Sequence, residues 1–429
     1  MSHIGVNTTQ RVGFLLLAGF VSLLAVAALS GNGSGGSDGS VAAVPHKTAP
    51  DRLVVGPGEE YQTINAALEA AASGTIVEVK AGIYPETVLI SAPVILEPFG
   101  DGPVWIDGDC ERDTGIWVYS GAAVSVAGLG VRNTNGAGVL IGNTGDDAQP
   151  PNHVTIDGLT IQDFNCSESD VQANAGVAVW HARCCMTIIN NTITYRTSGD
   201  VHGRGDGIWF KSTDETPSGG SHIISANRIT GGWDGIGGEA EDEIRGSFDS
   251  HSTIQDNVIK DCWDDGIQVE GGNENTRVRR NDISGCGTGI AFAPTRVGVL
   301  DIKRNIIHDL AVGLYENQFC FKVGGDGQEN GVVHLTENLC DTEGDGIMHT
   351  NSGLPAIVSR GNCFLVTRYV LQIGAELPAG TSFDEDTMWT SDPERFVSWK
   401  GNIYDNIRQF QTTGEESSGV ESRDCPIEF

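Results

Sequence analysis

Four Asp-Gly-Ile triplets punctuate the chain, at Asp206, Asp234, Asp265 and Asp345, and Asp264 doubles the third of them. Asp-Gly suits a tight turn entering a strand, because glycine tolerates positive φ, and that is their structural reading. The chemical reading comes from the strand that follows each turn. Counting its glycine as position one, position five reads Trp180, Lys211, Glu239, Glu270, Ala293, Asn317 and Thr350. If these strands stack in parallel about 4.8 Å apart, Lys211, Glu239 and Glu270 fall in one outward row, with Glu241 on the same face. Carboxylates this close do not all stay ionised without a cation or a shared proton. Glu239, Glu241 and Glu270 are then a set of hard oxygen ligands for calcium. Alternatively the carboxylates, with Asp234, Asp264 and Asp265 at the turns, supply a general acid and base. The bland alternative is a solvated acidic face on an acidic protein.

Aromatic and basic residues crowd the same segment. Trp180, Trp209, Trp233 and Trp263 are four of the eight tryptophans. Flat apolar rings beside acidic groups suit a saccharide groove, whereas rings that plug an interior or brace a turn do not. His181, Arg183, His202, Arg204 and Lys211 supply positive charge for uronate carboxylates. Lys211 is placed to take a proton in a β-elimination. Trp180, His181, Arg204, Trp209, Trp233 and Trp263 are thus the expected substrate contacts, and Lys211, Asp234, Asp264 and Asp265 the expected catalytic groups.

The elements that would position these residues are legible as a repeat. A phrase of apolar-x-x-Asn-x-Ile, a polar turn and Gly-Ile recurs at Asn191, Asn227, Asn257, Asn281, Asn305, Asn338 and Asn362. Two positions on stand Ile193, Ile229, Ile259, Ile283, Ile307, Cys340 and Phe364, and the shortest repeat is 24 residues. Leu129 and Leu159 hold the asparagine register upstream. Self-similarity on this scale signals a solenoid. Each coil gives three short strands; its asparagine stacks on the next at a buried corner, and its isoleucine joins an inward apolar ladder. No coil buries its apolar face alone, so the array is the folding unit. The expected fold is all-β, a right-handed parallel β-helix. Ahead of it, Tyr61–Ala72 carries Ile64, Ala67, Leu68 and Ala71 at helical spacing, a short helix that caps the open end of the core.

From Tyr61 to about Phe364 the chain resembles the pectin-lyase-like superfamily of right-handed parallel β-helices. Gly82-Ile-Tyr-Pro-Glu86 and Gly128-Leu-Gly-Val-Arg-Asn133 are similar to the first coils of pectin methylesterases, whose catalytic segment has no counterpart here. Superfamily lyases combine a calcium-neutralised uronate with a Lys or Arg base, which the resemblance maps onto Lys211, Glu239, Glu241 and Glu270. The polygalacturonase branch carries Asn-Thr-Asp, Asp-Asp and Gly-His-Gly on successive coils. Asp234 and Asp264-Asp265 echo the first two, while Gly287-Thr-Gly289 has threonine at the third. The resemblance implies a carbohydrate-active protein acting on an acidic polysaccharide, with lyase-type elimination ahead of polygalacturonase-type hydrolysis. A non-catalytic stalk or glycan-binding surface is the competing class.

Bulk properties bound the rest. With 57 acidic against 26 basic residues the net charge is −31, which repels nucleic acid and anionic lipid. Seven lysines beside that excess resemble the proteins of salt-loving microbes. Arg11 precedes an apolar run from Val12 to Leu29, ending in the small-x-small site Ala28-Leu29-Ser30. Residues 1–30 read as a cleaved signal peptide or a retained membrane anchor, and 31–50 as a Gly/Ser-rich linker. Either way the body is exported, secreted or at the cell surface, where ten cysteines are expected to form disulfides. Cys262 and Cys286 each follow a repeat isoleucine by three residues, which suits either a bridge or an inward thiol ladder. The β-helix spans 51–370, and 371–429, containing Cys425, reads as an irregular cap. Nothing in the sequence fixes the oligomeric state.

Overall fold

The computed structural model describes residues 51–427, except 122, 143–149, 167–173, 181, 196–204, 213–218, 241–247, 293, 314–315, 325–330, 350–353 and 375. The N-terminal apolar run and linker lie outside the described residues, among which no helix is long and apolar enough to cross a membrane.

Each coil turns through three strands, and like strands of successive coils pair in parallel; among the described residues this gives three sheets of 13 strands, the third closed by the antiparallel strand Asn402–Tyr404. A typical coil runs Thr187–Ile189 in the first sheet, Thr192–Thr194 in the second and Asp206–Ser212 in the third. The apolar ladders are in register. In the second sheet Ile161, Ile193, Ile229, Ile259, Ile283, Ile307, Cys340 and Phe364 follow one another. All are buried in one continuous core. This is the expected right-handed β-helix.

The corner between the first two sheets explains the asparagines. The residue before each is in the left-handed region, with φ of 58° at Asn190, 57° at Ala226 and 52° at Arg280. Such a conformation costs an ordinary residue about 1–2 kcal/mol, and the next side chain offsets it. Asn257 Oδ1 accepts from the backbone N–H of Asn227 at 3.0 Å and from its Nδ2 at 3.0 Å. Asn257 Nδ2 in turn donates to Ile224 O at 3.1 Å and to Asn281 Oδ1 at 2.9 Å. The same bonds repeat from Asn191 to Asn362, and Leu159 ends the row by donating its N–H to Asn191 Oδ1.

The ladder does not stop where the asparagines do. Asn362 donates its N–H and Nδ2 to Asp386 Oδ1 at 2.7 and 3.0 Å, and Asp386 donates its N–H to Glu416 Oε2 at 3.2 Å. Parallel pairing continues through Ser382–Asp384, Thr387–Thr390, Val397–Trp399 and Val420–Glu421. The coils therefore run past residue 370, where the sequence places their end, because Asp386 and Glu416 take over the corner that the Asn pattern marks elsewhere. Past them, Phe410 of the helix Ile407–Phe410 packs edge-on against Trp399.

At the other end, the helix Ile64–Ala70 is capped by Thr63 and by Glu86, whose carboxylate accepts the N–H groups of Ile64 and Asn65. Ile64 and Ala67 are buried against the first coil, with Leu68 and Ala71 at their margin. Five disulfides join all ten cysteines: Cys110–Cys166, Cys184–Cys185, Cys262–Cys286, Cys320–Cys340 and Cys363–Cys425. Cys262 and Cys286 are thus bridged, and Cys425 holds the C-terminal segment to the coils.

Candidate functional site

Third-sheet strands present one row of side chains outward at position three: Trp117, Leu140, Ala178, Trp209, Gly237, then Gln268, Ala291, Lys322 and Met348. The row changes character along the solenoid. Its first part is apolar: Leu140 and Ala178, with Trp180 from position five, form a buried patch flanked by half-buried Trp117 and Trp209. Trp180 and Trp209 meet edge to face at 5.5 Å.

The Asp-Gly-Ile aspartates stand where each strand begins, and their first job is structural. Asp206 Oδ1 accepts the N–H of Asp234 at 3.1 Å, and Asp234 Oδ1 accepts that of Asp265 at 2.9 Å. Asp345 does the same for Tyr369 at 2.9 Å. One oxygen each from Asp234, Asp264 and Asp265 lies within 4.8 Å of the others, and all three residues are buried. Lys322 reaches back across the intervening strand to place Nζ 2.8 Å from Asp265 and 3.5 Å from Asp264. Burial, then Asp265 beside it, pushes the Asp264 carboxyl up to about 6 despite Lys322. Burial raises Asp234 well above the usual carboxylate range, with Asp206, Asp265 and Asp264 adding to it. The cluster therefore holds protons at pH values where exposed aspartates hold none.

Gly237 lies directly over this cluster. A Cβ there would lie 3.4 Å from an Asp234 carboxylate oxygen and 3.6 Å from an Asp206 oxygen. The missing side chain leaves a notch in the outward row, floored by carboxyls and bordered by Trp209. Trp233 and Trp263 are half-buried at the turns directly before Asp234 and Asp264, with Asp264 N–H bonded to Trp233 O.

The expected catalytic aspartates thus come together, while the row at position five is only partly realised. Trp180, Lys211 and Glu239 are in register, and Lys211 Nζ lies 5.3 Å from the Trp180 ring and 5.5 Å from Trp209. Pairing to the next coil is made at Ile236–Ile267, and that strand ends at Gln268. Glu270 lies beyond it, accepting a hydrogen bond from Gln268 Nε2 at 3.1 Å. His181, Arg204 and Glu241 lie outside the described residues, as does the Glu239 side chain.

Two expectations are corrected. Trp180 is 5% exposed and packed beneath its neighbours, so it is not an open platform for a sugar; Trp209 is the half-buried ring at the notch. Asn317 does not belong to the outward row. The strand of its coil is Phe319–Val323, with Cys320 in the register of Gly289 and Gly346. An insertion shifts the count, and the same shift hides Lys322, which sequence reasoning missed. The alternation Phe319-Cys-Phe-Lys-Val323 carries the signal that would have placed it.

A family model described as the right-handed beta helix region matches residues 114–337, just over half of the chain, which belongs to this family. Solved structures with a similar fold include the alginate lyase from Paenibacillus sp. str. FPU-7, at 14% identity and TM-score 0.47, over 72% of this chain and 99% of that one. The PL6 family alginate lyase AlyGC aligns at 13% identity and TM-score 0.46, over 88% of this chain but 57% of that one. The GH136 lacto-N-biosidase from Eubacterium ramulus aligns at 13% identity and TM-score 0.47, over 88% and 68% of the two chains. The comparison with curated proteins finds no match.

Proposed function

We propose that this chain is an exported enzyme that hydrolyses an acidic polysaccharide at the Asp234–Asp264–Asp265 notch. The observation that carries the reading is the cluster itself: three buried carboxyls within 4.8 Å, one of them ion-paired to Lys322, beneath a gap in the side-chain row. Two carboxyls in different protonation states are what acid-catalysed glycoside cleavage needs. Asp265, paired with Lys322, carries the negative charge and accepts a proton from the attacking water. Asp264, whose carboxyl burial and then Asp265 push up to about 6, supplies the proton that leaves on the departing glycosidic oxygen, with Asp234 raised beside it. The water's hydroxide adds to the anomeric carbon as the C–O bond breaks, so atoms and charge balance. Trp209 offers an apolar face to a sugar ring. Lys211 supplies positive charge for uronate carboxylates. Export is supported by ten cysteines paired in five disulfides.

A second reading rests on Lys211, held between two tryptophan rings in register with Glu239. There Lys211 removes the proton α to a uronate carboxyl, and Glu239, Glu241 and Glu270 would hold a calcium ion that would neutralise that carboxyl. The aspartate cluster suits calcium less well, since Lys322 already occupies its charge. One assay separates the readings: uronate polymers are incubated with the protein, with and without calcium and a chelator. New reducing ends without ultraviolet absorbance, lost in Asp264→Asn, support hydrolysis. Absorbance from an unsaturated product, lost in Lys211→Ala, replaces it with elimination. Neither signal on any polymer makes the solenoid a binding surface.

A further inference from the structure

The first sheet carries a feature that the aspartate notch does not use. On a chain of net charge −31, the segment from Arg277 to Arg304 holds six basic residues and only two acidic ones, Asp282 and Asp301. The fold places three of these basic residues, Arg277, Arg279 and Lys303, on the outward side of two neighbouring strands, Thr276–Arg279 and Leu300–Lys303, with Asp301 among them. Register places Arg277 beside Asp301 and then His334, and Arg279 beside Lys303 and then Thr336. These six residues line a cavity of about 300 Å³ on the sheet surface.

The charges in this groove are only partly spoken for. Asp301 is engaged by His334 Nδ1 at 3.0 Å, so its negative charge faces the histidine. Arg279 Nε donates to Gln255 Oε1 at 2.9 Å, a neutral partner that orients the guanidinium without cancelling it. Lys303 leans on Glu337 at 3.4 Å, a carboxylate it shares with Arg304 at 2.5 Å. Arg277 is exposed on its strand. Two guanidiniums and an ammonium thus stand in two parallel rows, stepped by the spacing of adjacent strands, about 4.8 Å. Guanidinium forks match planar carboxylates and sulfates bidentately. Three cations spread over two adjacent strands fit a polymer with repeated anions better than a single small ion. Elsewhere the acidic surface repels such a polymer, so the field leads it to this face.

We propose that the Arg277–Arg279–Lys303–His334 groove of the first sheet binds a stretch of polyanionic glycan, carboxylated or sulfated, as a site separate from the third-sheet notch. It holds or orients the polymer whether or not that notch cleaves it. The test is equilibrium binding of the intact chain to polygalacturonate, dextran sulfate, neutral dextran and duplex DNA at low salt. Wild type is expected to bind one or both charged glycans and not dextran, and Arg277→Glu/Arg279→Glu to weaken this at least tenfold. Arg395→Glu/Arg408→Glu, the same charge change elsewhere, is expected to leave it within about twofold. Which charged glycan binds tighter identifies the anion. Equal losses in the two double variants, no loss in the first, or no binding by wild type each overturn the proposal. DNA bound more tightly than either glycan replaces it with a nucleic-acid surface. If the charge-reversed variant fails to fold by circular dichroism, Arg277→Gln/Arg279→Gln is read instead, with the same criterion. Asp264→Asn is expected to lose cleavage and keep this binding, so failure of the hydrolase reading and failure of this one are distinguishable.

Discussion

Asp264 and Lys322 sit within 3.5 Å of each other but are expected to fail in different ways when changed. Asp264→Asn keeps the shape and removes a titratable proton. General acid catalysis is worth about 10²–10⁴-fold, so kcat is expected to fall by that much on the polymer that wild type cleaves. The thermal midpoint is expected to hold or rise, because a like-charge contact with Asp265 disappears. The rate of wild type is expected to decline as pH rises through about 6, where Asp264 gives up its proton. A flat profile across that range would remove Asp264 from the acid role. Lys322→Met is a stability experiment first. It strands the fully buried Asp265 without its cation, and breaking such a pair typically costs about 3–5 kcal/mol. A loss under about 1 kcal/mol in urea unfolding would mean that Lys322 is incidental to the cluster.

At the scale of the coil, the corner ladder is where sequence and structure agree most closely. The Asn281 side chain makes four bonds, so Asn281→Ala leaves donors of Asn257 and the carbonyl of Ile254 unpaired in a dry corner. A buried polar group left unpaired costs about 1–3 kcal/mol, and Asn281→Ala is expected to lose at least that in urea unfolding. The ladder was legible because asparagine chemistry and 24-residue spacing both repeat. Its C-terminal end was not, since Asp386 and Glu416 satisfy the same backbone groups with a different residue type and the asparagine pattern ends at Asn362. The two carboxyls meet in a buried corner. Burial, then the neighbouring Asp386, pushes Glu416 up to about 9. Its free-chain value is 4.5, so the folded state holds the proton more tightly. Stability from this group is therefore full below about 4.5 and declines as pH rises towards 9, by at most about 1.4 kcal/mol per pH unit. Glu416→Gln is expected to flatten the pH dependence of unfolding over that window; an unchanged slope would place the proton elsewhere. The candidate site was half legible for a related reason. Asp-Gly-Ile marks strand starts wherever the coil is regular, whereas Lys322 follows an insertion that breaks the count.

For the whole molecule the dominant quantity is charge. Even if every basic residue paired, the 57 carboxylates and 26 cations leave 31 negative charges over. The corner ladder and the apolar stacks are inside, so this excess is carried by the outer faces and loops. Its repulsion acts across the solenoid at low salt, where the screening length at about 0.01 M is roughly 30 Å, and collapses at 1 M, where it is roughly 3 Å. Unfolding lets the charges move apart, so repulsion weighs on the folded state more than on the open chain. Added sodium chloride is expected to raise the thermal midpoint between 0.05 and 1 M, steeply at first and then levelling as the screening length falls below the distance between neighbouring charges. Chloride is used because sulfate strengthens apolar burial by exclusion and would confuse the two effects. A midpoint that stays flat or falls over that range would mean that the acidic surface is already neutralised by its own geometry. A rise that persists in Glu416→Gln assigns the effect to the outer surface rather than to the buried corner.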